Sequence, residues 1–242
     1  MKTRDELKVL LIQIRRDDMK EHEYKCFLRY SGFNENQLIG HDVFDKEVSI
    51  KNLEGYDAVI IGGSGEYSTL DKEVLDINEK LKKIIRWCYN NNFPYFGTCY
   101  GGHLAALALG GEVVLDKQSA ETGSYLVRLT SEAREDPLFK FLPETFWAQI
   151  GHKDTITKIP DGATLLAFTD KCPVHAFTFP GKKFYATQFH AELDKEDLIL
   201  RVNYYKGYVK DKEDLEKVIA EAKDSPEAAA LPRLFIDEIV LK

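Results

Sequence analysis

An α/β fold, built as an open, mostly parallel sheet with helices on both faces, is predicted by three observations. Short β-branched or aromatic runs alternate with helical patterns through the first half of the chain, the signature of crossovers between parallel strands. Two of these runs end in glycine-rich bends, YDAVIIGG (56–63) and PYFGTCYGG (94–102). The 242 residues are 44% hydrophobic and 30% charged, enough apolar side chain for one large core. No Pro/Gly/Ser-rich linker interrupts them, so a single domain over 1–242 is expected.

The elements follow in order. KVLLIQI (8–14) is the first strand, and the polar stretch from Met19 to Tyr30 is helix-like. A second strand begins near Tyr56. Between Asp71 and Asn91, Val74, Leu75, Ile77, Leu81, Ile84, Ile85 and Cys88 recur at helical spacing, which makes Cys88 a core residue. Phe93 to Phe96 is a strand again, and an Ala/Leu helix follows the bend at Cys99. Beyond Gly111 the runs EVVL, SYLVRLT, ATLLAFT, HAFTF and KKFYATQFH shorten, with PDG and PGKK as turns, so this half reads as mixed sheet. Residues 194–242 read as helices, broken near DSPEAAALP by prolines, and KDKEDLEKVIAEAK is a solvated helix face.

Composition excludes several functions. Thirty-three basic residues against 40 acidic give a net charge of -7 with no basic stripe, which argues against a nucleic-acid partner. The apolar run near the N-terminus is too short and too soon followed by charge for a signal peptide or a membrane span, so a cytoplasmic protein is expected. Cys26, Cys88, Cys99 and Cys172 show no CxxC spacing and are expected as thiols.

Cys99 stands apart from the other three. It lies in the tight strand-to-helix connection, with Gly97, Gly101 and Gly102 around it, where a nucleophile elbow projects its side chain above the sheet edge that binds ligands. The following helix N-terminus stabilises a thiolate there. A thiolate attacking a carbonyl needs oxyanion donors: the amide of Tyr100 is the natural first, and the GGSG turn at Gly62 to Gly65 can supply a second, although such a turn also reads as a plain strand end or a phosphate loop. A base is also needed. QFHAE places His190 and Glu192 two apart, so on an extended segment Glu192 would orient the imidazole, the bland alternative being a strand-end histidine beside an exposed carboxylate. Cys99 and His103 at i, i+4 also permit a metal reading, but without HExxH or paired CxxC no metal or cofactor is expected.

FGTCYGG, IIGGSG and QFHAE in this order resemble the class I, triad-type glutamine amidotransferases, particularly the glutaminase domains of GMP synthase and their free-standing relatives. The resemblance covers about 8–193, leaving 194–242 as a helical extension. It implies a flavodoxin-like fold, Cys99 as nucleophile, His190 as acid and base, Glu192 as orienter, and the amides of Gly63 and Tyr100 as oxyanion hole. It also implies that the substrate is glutamine or a γ-glutamyl compound, and that ammonia passes to a separate synthase subunit if it is used. Three departures from the family pattern stand out. His103 replaces a substrate-contacting glutamine, Ala191 replaces the proline of FHPE, and SAETGSY replaces REYG, which leaves Glu121, Gly123 and Ser124 as the corresponding wall residues. GHKDTI, with His152 and Asp154, resembles a further family segment, or is a turn with a satisfied histidine. Three functions fit: a glutaminase, a free-standing γ-glutamyl hydrolase, or a nonenzymatic thiol protein. The last resembles DJ-1-like relatives, which carry a histidine directly after the elbow cysteine where this chain has Tyr100.

Overall fold

The computed structural model describes residues 2–116 and 119–242. Its centre is a nine-stranded mixed sheet. β1 (Val9–Gln13), β2 (Leu38–Asp42), β3 (Ala58–Ile61), β4 (Tyr95–Thr98) and β11 (Phe184–Thr187) run parallel in the order β2-β1-β3-β4-β11. The sheet continues antiparallel through β10 (Ala176–Thr178), β9 (Thr164–Phe168), β6 (Glu121–Leu129) and β7 (Thr145–His152). The α/β class holds, with the parallel character confined to the first half and β11. A separate ribbon pairs β5 (Glu112–Leu115) with β8 (Asp154–Lys158).

β1, β3, β4 and β11 are buried throughout because crossover helices cover both faces, which is why they read as continuous apolar runs. One face carries α2 (Leu75–Asn91) and α3 (Tyr100–Ala108), whose Leu81, Ile84, Ile85, Cys88 and Leu104 share a core with Ile12, Val59, Ile61 and Tyr95. The opposite face carries α1 (Met19–Ser31) and α7 (Leu231–Phe235) against Val9, Leu11, Ile60 and Phe96. Phe235 stands 5.2 Å from Phe96, ring centre to ring centre, so α7 is built into the main core.

Between them α4 (Lys195–Tyr204), α5 (Lys212–Glu221) and α6 (Pro226–Ala229) cross the sheet edge that holds the elbow. Asp194 and Asp211 cap α4 and α5 by accepting from the Asp197 and Asp214 amides, and Pro226 and Pro232 sit at helix starts, where a missing N–H costs nothing. The proline-rich stretch therefore starts two helices as well as stopping one. α5 exposes its charged face as expected, while Leu215, Val218 and Ile219 turn inward onto Leu198 and Val202.

Candidate active site

The elbow exists because three glycines let α3 sink onto the sheet. A Cβ on Gly101 would stand 2.2 Å from the Ile61 carbonyl oxygen, and one on Gly102 2.3 Å from that of Thr187. The Gly101 amide donates to Gly62 O at 3.1 Å and the Cys99 amide to Thr187 O at 2.8 Å, so the bend is pinned to the ends of β3 and β11. Cys99 pays for this position with φ 49° and ψ -106°, a backbone conformation that side chains other than glycine avoid. Its thiol is 3.7 Å from the Gly151 carbonyl and lines a cavity with His190, Arg15, Arg201, Tyr205 and Tyr208.

His190 is placed by its amide, which donates to Gln149 O at 2.8 Å, an isolated bridge onto β7. Glu192 reaches His190 from a turn, not from the extended segment the spacing implies, because β11 ends at Thr187, whose hydroxyl donates to Phe189 O at 2.9 Å. The carboxylate meets His190 Nδ1 at 2.8 Å and also accepts from Arg201 Nη1 at 3.0 Å and Thr98 Oγ1 at 3.3 Å. Burial alone would lower the basicity of His190, but Glu192 and the neighbouring Cys99 raise it to about 9. Burial likewise opposes ionisation of Glu192, and His190 with Arg201 overrides it, holding the carboxyl at about 2. An imidazolium beside the thiol at neutral pH is the electrostatic result.

The remaining expected residues divide. Tyr100 opens α3, where first-turn amides have no partner within the helix. Gly63 does adjoin His190, since a Cβ there would be 3.1 Å from its Cε1. Its amide, however, donates at 2.9 Å to Glu23, a carboxylate buried against Arg15 Nε (3.1 Å) and Gln13 Nε2 (3.2 Å), so in this conformation it is not a free oxyanion donor. His103 lies away from the cavity: it is buried, 3.1 Å from Gln188 Oε1, and burial presses it to about 4, which keeps it neutral. Glu121 is interior too, bonded to His175, His152 and Thr169.

Ser124 is tied to Gln149 Oε1 at 2.8 Å, and Gly123, at φ +128°, faces Val218 of α5; the wall residue of this segment is Thr122, directly before Gly123. His152 ends a strand and is no turn residue, and Asp154 anchors a loop through Ser68 Oγ (2.7 Å) and Thr69 N (2.7 Å). Sequence reasoning missed Arg15, Arg201, Tyr205 and Tyr208. Arg15 lies two residues past the end of a buried strand and is itself buried, a usable signal; the others depend on where the C-terminal helices cross.

Strand, bend and helix therefore place the Cys99 thiol in an elbow at the end of a mixed α/β sheet. Residues 33–198 match the family of class I glutamine amidotransferases, and the chain belongs to that family. It is 33% identical over 158 residues to a glutamine-hydrolysing GMP synthase of Lactobacillus delbrueckii, a match covering 65% of this chain and 28% of that protein. It is 39% identical over 115 residues to one subunit of a glutamine-hydrolysing GMP synthase from Methanocaldococcus jannaschii, covering 48% of this chain and 59% of the relative. The fold is similar to a crystal structure of a glutamine amidotransferase from Thermotoga maritima, with TM-score 0.73, 22% identity, and 98% and 99% of the two chains covered. Among the described residues no helix is long and apolar enough to cross a membrane.

Proposed function

We propose that this chain hydrolyses the side-chain amide of glutamine with Cys99 as nucleophile, His190 as acid and base, and Glu192 as orienter. The observation that carries this reading is the meeting of the strained Cys99 with His190 in one cavity, with the second nitrogen of His190 held 2.8 Å from a buried Glu192. The thiolate attacks the amide carbon, and the Tyr100 amide donates to the oxyanion. The Gly63 amide joins it when Glu23 releases it. His190 gives its proton to the departing nitrogen, and ammonia leaves a γ-glutamyl thioester. Water then loses a proton to His190 and attacks the thioester, and glutamate leaves as the thiol is restored.

The archaeal relative is named as one subunit of a synthase, which supports ammonia delivery to a separate chain as the cellular role. The deciding experiment incubates the protein with glutamine and with γ-glutamyl amides and measures ammonia, glutamate and amine. Glutamine hydrolysis abolished by Cys99→Ala is the expected result. Turnover of γ-glutamyl amides alone would make the chain a free-standing γ-glutamyl hydrolase, and release unaffected by Cys99→Ala would remove the thiol from the chemistry.

A further inference from the structure

Glu121 opens β6 and is paired in register with His152 at the end of β7, while Cys172 and His175 flank the Pro173-Val174 step between β9 and β10. The antiparallel half of the sheet thereby gathers four side chains of metal-ligating type from three separate stretches of the sequence. One donor atom from each lies within 4.8 Å of every other, and all four residues are at most 1% exposed. None lines the Cys99 cavity.

Hydrogen bonding alone does not satisfy this cluster. His175 Nε2 and His152 Nε2 both approach Glu121 Oε2, at 2.7 and 3.2 Å, and both Nδ1 atoms are buried without a partner. Gln188 fixes the polarity on the other side. Its Oε1 accepts the Ile156 amide at 2.9 Å, so its Nε2 is the donor that faces His152 Nε2 at 3.1 Å and Cys172 Sγ at 2.9 Å. His152 Nε2 would have to be unprotonated to accept from Gln188 and protonated to donate to Glu121. Both cannot hold for one nitrogen beside an ionised carboxylate.

A cation among the four donors removes the conflict. The Nε2 lone pairs of both histidines, the Glu121 carboxylate and the Cys172 sulfur can then all face the ion, and the Gln188 amide donates to the metal-bound sulfur, a common supporting contact, while both Nδ1 atoms keep their protons without a protein partner. Two imidazoles, a carboxylate and a thiolate suit a borderline divalent ion of the zinc kind, and the two anionic ligands cancel its charge, which lowers the cost of burial. Tetrahedral zinc bonds of about 2.0 to 2.3 Å set donor atoms roughly 3.3 to 3.8 Å apart, within sub-ångström to ångström adjustments of the present spacing. The Thr169 hydroxyl already steadies Glu121 at 2.8 Å. Among the described residues the other grouping of such donors, His22, Cys26 and Asp197, is served by Arg29 and Arg201 and needs no ion.

We propose that Glu121, His152, Cys172 and His175 bind one zinc-type divalent cation as a closed structural site behind the elbow. It would fasten β7 to the β9–β10 connection, and through Gln188 it would hold His103 of the elbow helix. Gly151, whose carbonyl meets the Cys99 thiol, directly precedes the ligand His152.

The test uses the full chain without a histidine tag, reconstituted with Zn2+ or Co2+ and passed through gel filtration. Elemental analysis is expected to give about one bound ion per chain, and X-ray absorption one sulfur near 2.3 Å with nitrogen or oxygen near 2.0 to 2.1 Å. The cobalt form should show a thiolate-to-metal charge-transfer band that Cys172→Ser removes and Cys99→Ser keeps. Chelation should lower the melting midpoint by at least about 5 °C. Less than about 0.2 ion per chain, against the one that a closed four-ligand site holds, would overturn the site. So would a metal shell without sulfur, a reading that needs no variant to fold, or a band that survives Cys172→Ser.

Discussion

At His190 two influences oppose each other, burial favouring the neutral ring and the Glu192 and Cys99 charges favouring the cation, and the charges win. The pH dependence follows from the signs. The His190 value is raised from 6.5 to about 9, so its contribution to stability is complete below 6.5 and is lost as pH rises through 9. Glu192 is lowered from 4.5 to about 2, so its contribution is complete above 4.5 and is lost as pH falls through 2. The melting difference between wild type and Glu192→Gln should therefore be largest between pH 4.5 and 6.5 and shrink above pH 9, and a difference that grows above pH 9 would contradict the pairing.

Thiol selectivity also belongs to this scale. Burial pushes Cys88 up to about 12 and moves Cys26 and Cys172 in the same direction. An alkylating glutamine analogue should therefore modify Cys99 alone, as read by peptide mass spectrometry. The bend at Cys99 and the closeness of Glu192 to His190 were legible in the sequence because each is carried by neighbouring residues. The roles of His103 and Gly63 were not, since they depend on Gln188 and Glu23, residues 85 and 40 positions away.

The decisive element is α3, whose N-terminal end touches β3 and β11 with no room for a side chain at Gly101 or Gly102. Gly102→Ala must push the helix off the Thr187 carbonyl, and a loss of at least about 2 kcal/mol is expected in urea unfolding. A loss under about 0.5 kcal/mol would show that the helix shifts freely. Among strands, legibility followed burial. β1, β3 and β4 are buried throughout and mostly apolar, and were readable, whereas β2, LIGHD, is a partly polar edge strand with a glycine and went unread. β7 also escaped, although Phe146, Ala148 and Ile150 alternate inward, because its polar positions Gln149 and His152 are also buried and blur the period.

At the scale of the molecule we read residues 1–242 as one folding unit. Leu231, Phe235 and Ile236 sit in the same core as Val9, Ile60 and Phe96, and Tyr185 meets Phe235 at 6.3 Å. Truncation after Leu193 would strip this face of the sheet, so the shortened chain should be insoluble or lack a cooperative melting transition in calorimetry. A soluble fragment with a sharp transition would make 194–242 a true appendage. The class of fold was legible from alternation alone, while the return of the last helices to the first strand was not, because their apolar positions name no partner.

The backbone angle at Cys99 carries a consequence for descent. Holding a non-glycine residue at φ 49° costs on the order of 1–3 kcal/mol, and glycine is released from that cost. Cys99→Gly should therefore be inactive yet melt no lower than wild type, and a lower melting midpoint would show that the thiol's contacts outweigh the strain. Losing the reaction is then thermodynamically downhill for this scaffold. A lineage freed from selection for the thiol would drift toward sturdier, silent copies, so under the proposed function the cysteine at this angle serves the reaction at the expense of stability.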